Sequence, residues 1–168
     1  RDLCVKALGK DRVVGVMMPN GEQKDISDSK RVCEVLGIKN ITVNIEDTVN
    51  AAIDSVLNNI NELGVNELTA QTLINLPPRI RMTVLYGIAA LKGGVVANTC
   101  NLSEDYVGYS TKFGDSAGDF SLLNHLTVDE IVRLGEFMNI PDKLIHKIPD
   151  DGMCGKSDED NLGFSYSI

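Results

Sequence analysis

The sequence predicts an α/β fold built on a parallel β-sheet. Three short apolar segments rich in β-branched residues, at 13–19, 41–45 and 95–99, alternate with longer segments whose apolar residues recur at helical spacing. Short turns join these segments, and the alternation is typical of strand–helix–strand units on a parallel sheet. With 168 residues, 43% of them hydrophobic, the chain has the size and composition of one globular domain.

The first part of the chain supplies a helix, a strand and a second helix. Residues 1–9 carry apolar residues at helical spacing and end on Gly9, a residue that stops helices. The run VVGVMMP at 13–19 is apolar throughout, which predicts a strand buried on both faces. The next helix is predicted to have Ser27 as its N-cap and to close on Gly37.

The middle of the chain supplies two strands and two helices. ITVNI at 41–45 is the second predicted strand, and Thr48 to Leu63 forms an amphipathic helix. A further helix is predicted to start near Pro78, since proline suits a first helical turn. Residues 80–91 are almost wholly apolar, so we expect this helix to be buried on more than one side before VVANT at 95–99 forms the third strand.

The last part of the chain supplies one clear helix and polar segments. LTVDEIVRLGEF has Thr127 as its N-cap and Glu130 three residues later, which is a capping box. Segments 110–119 and 150–161 are rich in Gly and Asp, and we expect them to be mobile.

Charge and cysteine content exclude several function classes. The net charge of −8 repels phosphate backbones, so we expect no nucleic-acid partner, although local donors and Mg²⁺ would still allow a nucleotide. The four cysteines are scattered without a C-x-x-C pair, which argues against zinc or a disulfide framework and for reduced thiols in a cytoplasmic protein. No apolar run reaches the roughly 18 residues of a membrane span, so we expect no membrane association.

A polar segment follows directly after the third predicted strand. NTCNLSEDYVGYSTKFGDSAGD, residues 98–119, carries hydroxyls, a lysine and carboxylates. Ligands of parallel α/β sheets bind beyond the carboxyl ends of the strands, which are here at 18–21, 45–46 and 98–99. The polar segment therefore starts where this architecture places binding sites.

Each polar residue near these ends has a structural explanation beside the functional one. Thr99 suits a phosphate or a ribose, but taken alone the residue favours a turn. Glu104 suits Mg²⁺ together with phosphate oxygens, but taken alone it favours the start of a helix. Lys112, among glycines and aspartates, suits an anion or a charged surface loop. Arg79 and Arg81 suit a carboxylate or phosphate ligand, or a structural salt bridge.

Known catalytic motifs do not narrow this choice. The sequence contains no Walker A, G-x-G-x-x-G, G-x-S-x-G or H-E-x-x-H motif. His125 and His146 lie outside any nucleophile or metal pattern, and we interpret both as structural. The residues alone thus predict an α/β domain with a polar site, compatible with anions and Mg²⁺, at its strand ends.

Four long segments resemble the family of ammonia-dependent NAD synthetases. They are VVGVMMPNGEQKDISDS, INLPPRIRMTVLYGIAA, NTCNLSEDYVGYSTKFGDSAGDF and GKSDEDNLGFSY. The resemblance implies an adenine-nucleotide alpha-hydrolase fold, a Rossmann-like three-layer α/β/α arrangement, in one domain over residues 1–168 that acts as a homodimer. It also implies a reaction in which ATP adenylates the nicotinate carboxylate of deamido-NAD, with Mg²⁺ as cofactor, and ammonia then displaces AMP.

The resemblance further implies roles for particular residues. Thr99 and Gln23 correspond to ATP-binding positions, and Glu104 corresponds to a Mg²⁺ ligand. Asp115 corresponds to a position near the reacting centre and is the candidate catalytic residue. The positions that correspond to deamido-NAD contacts are Asn75, Arg79, Lys112 and Asp119.

The sequence also departs from the family pattern. An S-G-G-x-D-S phosphate loop is expected before Arg1 and a His-Lys pair beyond Ile168. We therefore expect the sequence to be a portion of a longer protein, without its N-terminal strand, phosphate loop and C-terminal tail. Val128 stands where many members have lysine, and Asp150 where Ser or Thr is common, which leaves the contacts at these two positions open.

Two other functions stay open at this point. The same fold would serve a related ATP pyrophosphatase domain such as that of GMP synthetase, although I-N-L-P-P-R and the loop at 110–119 argue against it. A chain that truly has no phosphate loop would be a non-catalytic nucleotide-binding module. Whether the nitrogen comes from ammonia or, through a separate domain, from glutamine is not decided by these residues.

Overall fold

Helices and short parallel strands alternate along the chain. The computed structural model describes residues 1–23, 26–147, 160 and 162–164. The elements are α1 (Asp2–Leu8), β1 (Val14–Met17), α2 (Ile26–Leu36), β2 (Lys39–Thr42), α3 (Glu46–Leu57), α4 (Ala70–Lys92), β3 (Ala97–Asn98), α5 (Leu102–Val107), β4 (Phe120–Ser121), α6 (Val128–Phe137) and α7 (Asp142–Ile145). Short 3₁₀ turns lie at Lys10–Arg12 and Ile60–Leu63.

The strands form two parallel pairs. β1 pairs with β2, with Val14 opposite Lys39, and β3 pairs with β4, with Ala97 opposite Phe120. The first pairing continues beyond the strands, because Ile45 N–H donates to the carbonyl of Pro19 at 2.9 Å. The predicted α/β class with parallel strands is therefore confirmed. β4 was not predicted, since it is two residues long and lies in a polar segment.

The core of the first pair is covered from one side. Cys33 of α2 is fully buried, and its Sγ lies so close to Gly15 of β1 that a Cβ at Gly15 would be 2.5 Å from it. Met17 is also buried, whereas Val14 is 42% exposed. The predicted burial of this strand on both faces is thus wrong, because an apolar run does not show whether a second layer covers it.

Helix α4 begins well before its predicted start. Thr69 is the N-cap, and its hydroxyl accepts the N–H of Thr72, so Pro77 and Pro78 lie inside the helix rather than in its first turn. Prolines have no N–H, so the carbonyls four residues earlier, at 73 and 74, receive no helical hydrogen bond from them.

The expected burial of α4 on more than one side is also wrong. Of its residues only the two prolines are buried, while Ile74 is 46% and Leu91 87% exposed. The apolar composition of the helix therefore does not reflect a position inside this chain's own core.

Most helix ends agree with the local signals. Gly9 ends α1, and the capping box of Thr127 and Glu130 begins α6 as predicted. Ser27 lies within α2 instead of capping it, and the helix expected from Thr48 to Leu63 divides into α3 and a 3₁₀ turn. In the part of the chain that the structure describes, no helix combines the length and apolar character needed to cross a membrane.

Gly118 permits close contact between β3 and the segment before β4. A Cβ at Gly118 would lie 2.6 Å from the Cβ and 2.7 Å from the backbone nitrogen of Asn98. Neither neighbour is the end of a flexible side chain, so the strand itself would have to move. Beside this contact, Asp119 N–H donates to the carbonyl of Val96 at 2.8 Å.

We predict that Gly118→Ala destabilises the protein by about 1–3 kcal/mol, because overpacking of a tight contact costs about that much. Urea unfolding monitored by circular dichroism measures the change. Gly87→Ala is the matched control: this helical glycine has nothing within 4 Å of its would-be Cβ, so alanine there should be neutral or stabilising by up to about 1 kcal/mol. Equal stability of the two variants would contradict the predicted contact.

Candidate active site

A cavity of about 1120 Å³ lies at the carboxyl ends of β1 and β3. Its walls come from the segment after β1, from the proline-containing part of α4, from α5 and from the loop that follows α5. Ligands of parallel α/β sheets bind at such a position, and two of the three strand ends singled out in the sequence, at 18–21 and 98–99, contribute residues to the cavity. Residues 45–46, the remaining strand end, do not line it.

Five of the eight predicted site residues line this cavity. They are Gln23, Asn75, Thr99, Glu104 and Asp115. These residues are far apart in sequence and come together only through the fold. The three that do not line it are Arg79, which lies in α4, and Lys112 and Asp119, which lie in the loop after α5.

Glu104 has a structural role in addition to any role in the cavity. It occupies the third position of α5, where its Oε2 accepts the N–H of Asn101 at 2.9 Å and the Asn101 side chain accepts the N–H of Glu104. This capping box fixes the carboxylate at the cavity wall. The helix-start explanation of Glu104 is thus correct, and it does not compete with metal binding, because the same contact holds the carboxylate in place.

The Cys100 thiol lies beside the carboxylates of this wall, and they affect its pKa. Burial of the thiol, followed by the negative charges of Glu104 and Asp115, raises the pKa of Cys100 to about 11. A smaller contribution comes from Asp105. The cavity wall at α5 is therefore a region of negative potential.

Residues 111–119, called the site loop below, are anchored on α4. Thr111 is only 8% exposed, and its hydroxyl donates to Oδ1 of Asn75 at 3.0 Å. Its backbone N–H donates to Oδ1 of Asp115 at 2.9 Å, which orients that carboxylate. Gly114 packs on Pro78, where a Cβ would come within 2.8 Å. These contacts do not support the expectation that the loop is mobile, and most of segment 150–161 lies outside the described residues.

Arg79 and Lys112 meet on the other side of the site loop. Arg79 Nε donates to the carbonyl of Lys112 at 3.1 Å, so the arginine holds the loop backbone rather than a carboxylate. The Lys112 ammonium lies 5.0 Å from the centre of the Phe113 ring. Both side chains are exposed.

Asp119 joins α4 to the start of β3. Its Oδ2 accepts the N–H of Val96 at 2.7 Å, and its Oδ1 accepts the hydroxyl of Tyr86 at 3.3 Å. Partial burial and the charge of Asp119 raise the pKa of Tyr86, which keeps the phenol in the donor form. A structural function for Asp119 was not foreseen from the sequence.

Other polar residues also build the site without having been predicted. Asn98 and Thr111 connect the site loop to β3 and α4, and residue type alone does not distinguish them from surface residues. Arg81 Nε donates to the carbonyl of Met18 at 2.9 Å and lines the cavity. Unlike the other two, Arg81 was named from the sequence, as a candidate for an anionic ligand or a salt bridge, because of its position in an apolar helix. Val128, at a departure from the family pattern, donates its N–H to Ser103 Oγ at 3.2 Å, and Asp150 lies outside the described residues.

Comparison with known proteins matches this architecture. The NAD synthase family model matches residues 1–168. The NH(3)-dependent NAD(+) synthetase of Pyrococcus furiosus is 36% identical over 99% of this chain and 62% of its own length. The chain thus spans about 62% of the length of such curated relatives.

Solved structures show the same fold. The NMN synthetase of Francisella tularensis superposes with a TM-score of 0.80 and 29% identity, over 91% of this chain and 62% of that one. The NH3-dependent NAD synthetase of Campylobacter jejuni superposes with a TM-score of 0.74 and 31% identity, over 86% of this chain and 59% of that one. The Rossmann-like α/β arrangement and the strand-end cavity are thus accompanied by a match along the whole sequence, and the chain belongs to the NAD synthase family.

Proposed function

We propose that the protein amidates deamido-NAD to NAD with ammonia, using ATP. The carboxylate of the nicotinate attacks the α-phosphorus of ATP and releases pyrophosphate. Ammonia then attacks the acyl carbon of the mixed anhydride, loses a proton and releases AMP. The observation that carries this proposal is the cavity that gathers Gln23, Asn75, Thr99, Glu104 and Asp115 in a member of this family.

The ATP side of the site is assigned to the strand ends. Thr99 follows β3 directly, and Gln23 lies in the segment after β1, so the two approach the cavity from different strand pairs. A hydroxyl and an amide offer donors and acceptors suited to a ribose, a phosphate or an adenine.

The donor set of the cavity fits a magnesium ion. Mg²⁺ binds through one or two carboxylates together with phosphate oxygens and water. Among the described residues, His, Cys, Asp and Glu side chains do not form a group of three that would enclose a metal, whereas Glu104 supplies one carboxylate at the wall. The carboxylates of Glu104 and Asp115 give this wall negative charge, which a cation would offset. When bound, Mg²⁺ neutralises charge on the phosphates of ATP.

Deamido-NAD is assigned to α4 and the site loop. Asn75 lines the cavity, and Arg79, which contacts the backbone of Lys112, and Lys112 itself are the exposed cations assigned to its phosphates. Each oxygen of Asp119 accepts one hydrogen bond and keeps a lone pair for a substrate hydroxyl or N–H. We assign to Asp115, whose carboxylate accepts the Thr111 N–H, the acceptance of a proton from the attacking ammonia.

A homodimer and a cytoplasmic location are part of this proposal. The exposed apolar residues of α4, such as Ile74 at 46% and Leu91 at 87%, supply a surface for a second copy. Free thiols at Cys4, Cys33 and Cys100 are consistent with a reducing compartment.

The assay that tests the function uses the complete natural protein with ATP, Mg²⁺, ammonium and deamido-NAD. We expect NAD, AMP and pyrophosphate in equal amounts, measured by liquid chromatography. Nicotinate mononucleotide replaces deamido-NAD in a parallel reaction, and glutamine replaces ammonium in another. Amidation of the mononucleotide alone, or no reaction under any condition, would reject the proposed substrate, and dependence on glutamine would reject ammonia as nitrogen source.

We predict that Glu104→Gln lowers kcat about 10–100-fold while the Kd for deamido-NAD changes little, because the Mg²⁺ that Glu104 would hold offsets negative charge that builds up on the phosphates in the transition state. Glutamine preserves the capping box, so the fold is retained. Steady-state kinetics and calorimetry measure the two quantities. The matched control is Asp105→Asn, which removes an adjacent, exposed carboxylate; equal effects of the two variants would contradict a metal role of Glu104.

The same two variants test the electrostatics at Cys100. Because the folded protein raises the thiol pKa to about 11, alkylation should stay slow up to about pH 9 and rise towards pH 11. The free energy of unfolding should fall over the same pH interval, because the unfolded chain releases the thiol proton at a lower pH than the folded protein does. Glu104→Gln should lower this pKa more than Asp105→Asn does. The pH profile of iodoacetamide labelling, followed at Cys100 by mass spectrometry, measures both. A profile centred near the ordinary value of about 8.5 would be incompatible with the described burial.

A further inference from the structure

Asn98 connects the two parts of the cavity wall through its side-chain amide. Its Nδ2 donates to the carbonyl of Asp115 at 2.9 Å and to the carbonyl of Ala117 at 3.1 Å. Its Oδ1 accepts the N–H of Cys100 at 2.8 Å and lies 3.5 Å from the hydroxyl of Ser121. An asparagine amide has two donor hydrogens and two acceptor lone pairs, so every one of them is used.

This pattern allows only one orientation of the amide. The two carbonyls accept hydrogen bonds and need the NH₂ group, whereas the Cys100 N–H needs the oxygen. A reversed amide would place its oxygen against two carbonyl oxygens. The side chain therefore acts as a rigid link with a defined direction from β3 into the site loop.

The residues at the two ends of this link belong to different substrates in the proposed function. Thr99, next to Asn98 in sequence, is assigned to ATP, and Asp115 to the reacting carboxylate and ammonia. Gly118 lets the loop approach Asn98 closely enough for the bonds to form. The backbone hydrogen bond from Asp119 to Val96 holds the same two segments together just before β3.

The second anchor of the site loop, Thr111, contacts α4 and not β3. Thr111 fixes the loop to Asn75 on α4 and orients the Asp115 carboxylate. It sets the position of Asp115 relative to α4, while the distance from Asp115 to Thr99 depends on Asn98. The carbonyl of Asp115 also accepts from Cys100 Sγ at 3.3 Å, but a thiol is a weak donor.

We propose that Asn98 is a positioning residue that sets the alignment of ATP against the acyl substrate by tying the end of β3 to the site loop. This inference rests on the proposed function. Each substrate keeps its own direct contacts when Asn98 is changed, so binding of either one alone is preserved. Their mutual alignment is lost, and a displacement of about 1 Å costs on the order of 100-fold in rate.

The test compares Asn98→Asp with the wild-type complete protein in the amidation assay. Aspartate has the shape of asparagine but presents oxygen to the two carbonyls, so both donated hydrogen bonds are lost. We expect kcat to fall about 10–100-fold, and in the uncharged variant Asn98→Ala the Kd values for ATP and for deamido-NAD, each measured alone, should stay within about threefold while kcat falls. Asn124→Asp, at an exposed position between β4 and α6, adds the same charge and should behave as the wild type.

A second variant distinguishes a loss of alignment from a failure of Asn98→Asp to fold. Asn98→Ala removes all contacts of the amide without adding charge, and it should show this separation of kcat from Kd. A wild-type kcat in Asn98→Asp, equal losses of kcat and binding in Asn98→Ala, or failure of both variants to fold would each overturn the positioning role. An inactive wild-type protein would instead reject the proposed function, so the two failures are distinguishable.

Discussion

The attachment of the site loop to β3 and α4 is the contact on which the arrangement of the site depends. The loop is polar and rich in glycine, and such a segment has no apolar burial to hold it. Hydrogen bonds from Asn98 of β3 to two loop carbonyls, and from the loop hydroxyl of Thr111 to Asn75 of α4, supply the missing constraint. The two glycines, Gly114 and Gly118, let the loop backbone approach Pro78 and Asn98 more closely than any side chain would allow. Without this close approach the hydrogen bonds would be too long to form.

Several residues proposed for the site also make structural contacts. Glu104 closes a capping box while it lines the cavity, and Asp119 receives Tyr86 and Val96 while it keeps lone pairs for a ligand. A carboxylate has about four acceptor positions, so one contact for the fold does not exhaust it. These contacts also limit how far a side chain can move, which lowers the entropy that a substrate would otherwise have to remove on binding.

The sequence predicted the parts that depend on local pattern and missed those that depend on contact. Helix ends such as Gly9 and the box of Thr127 and Glu130 were correct, because capping is decided within four residues. The start of α4 was wrong, because a proline suits the first turn but is tolerated further along when packing holds it. The five cavity-lining residues among the predicted site residues were predicted from the family resemblance and not from local pattern. The roles of Asn98 and Thr111 were not visible, because an amide or hydroxyl that meets a distant carbonyl looks like any other polar residue in sequence.

The two prolines of α4 divide that helix into unequal parts. Without the N–H groups of Pro77 and Pro78, the turn that contains residues 73 and 74 is joined to the rest of the helix by fewer backbone hydrogen bonds. Such a segment opens at a lower free energy than the continuous stretch from Arg79 onward. Asn75 lies in the weaker part and Arg79 at the start of the stronger one. In native-state hydrogen exchange, the backbone amides of α4 before the prolines would therefore exchange faster than those after them, and the boundary between the two rates would lie at the cavity wall.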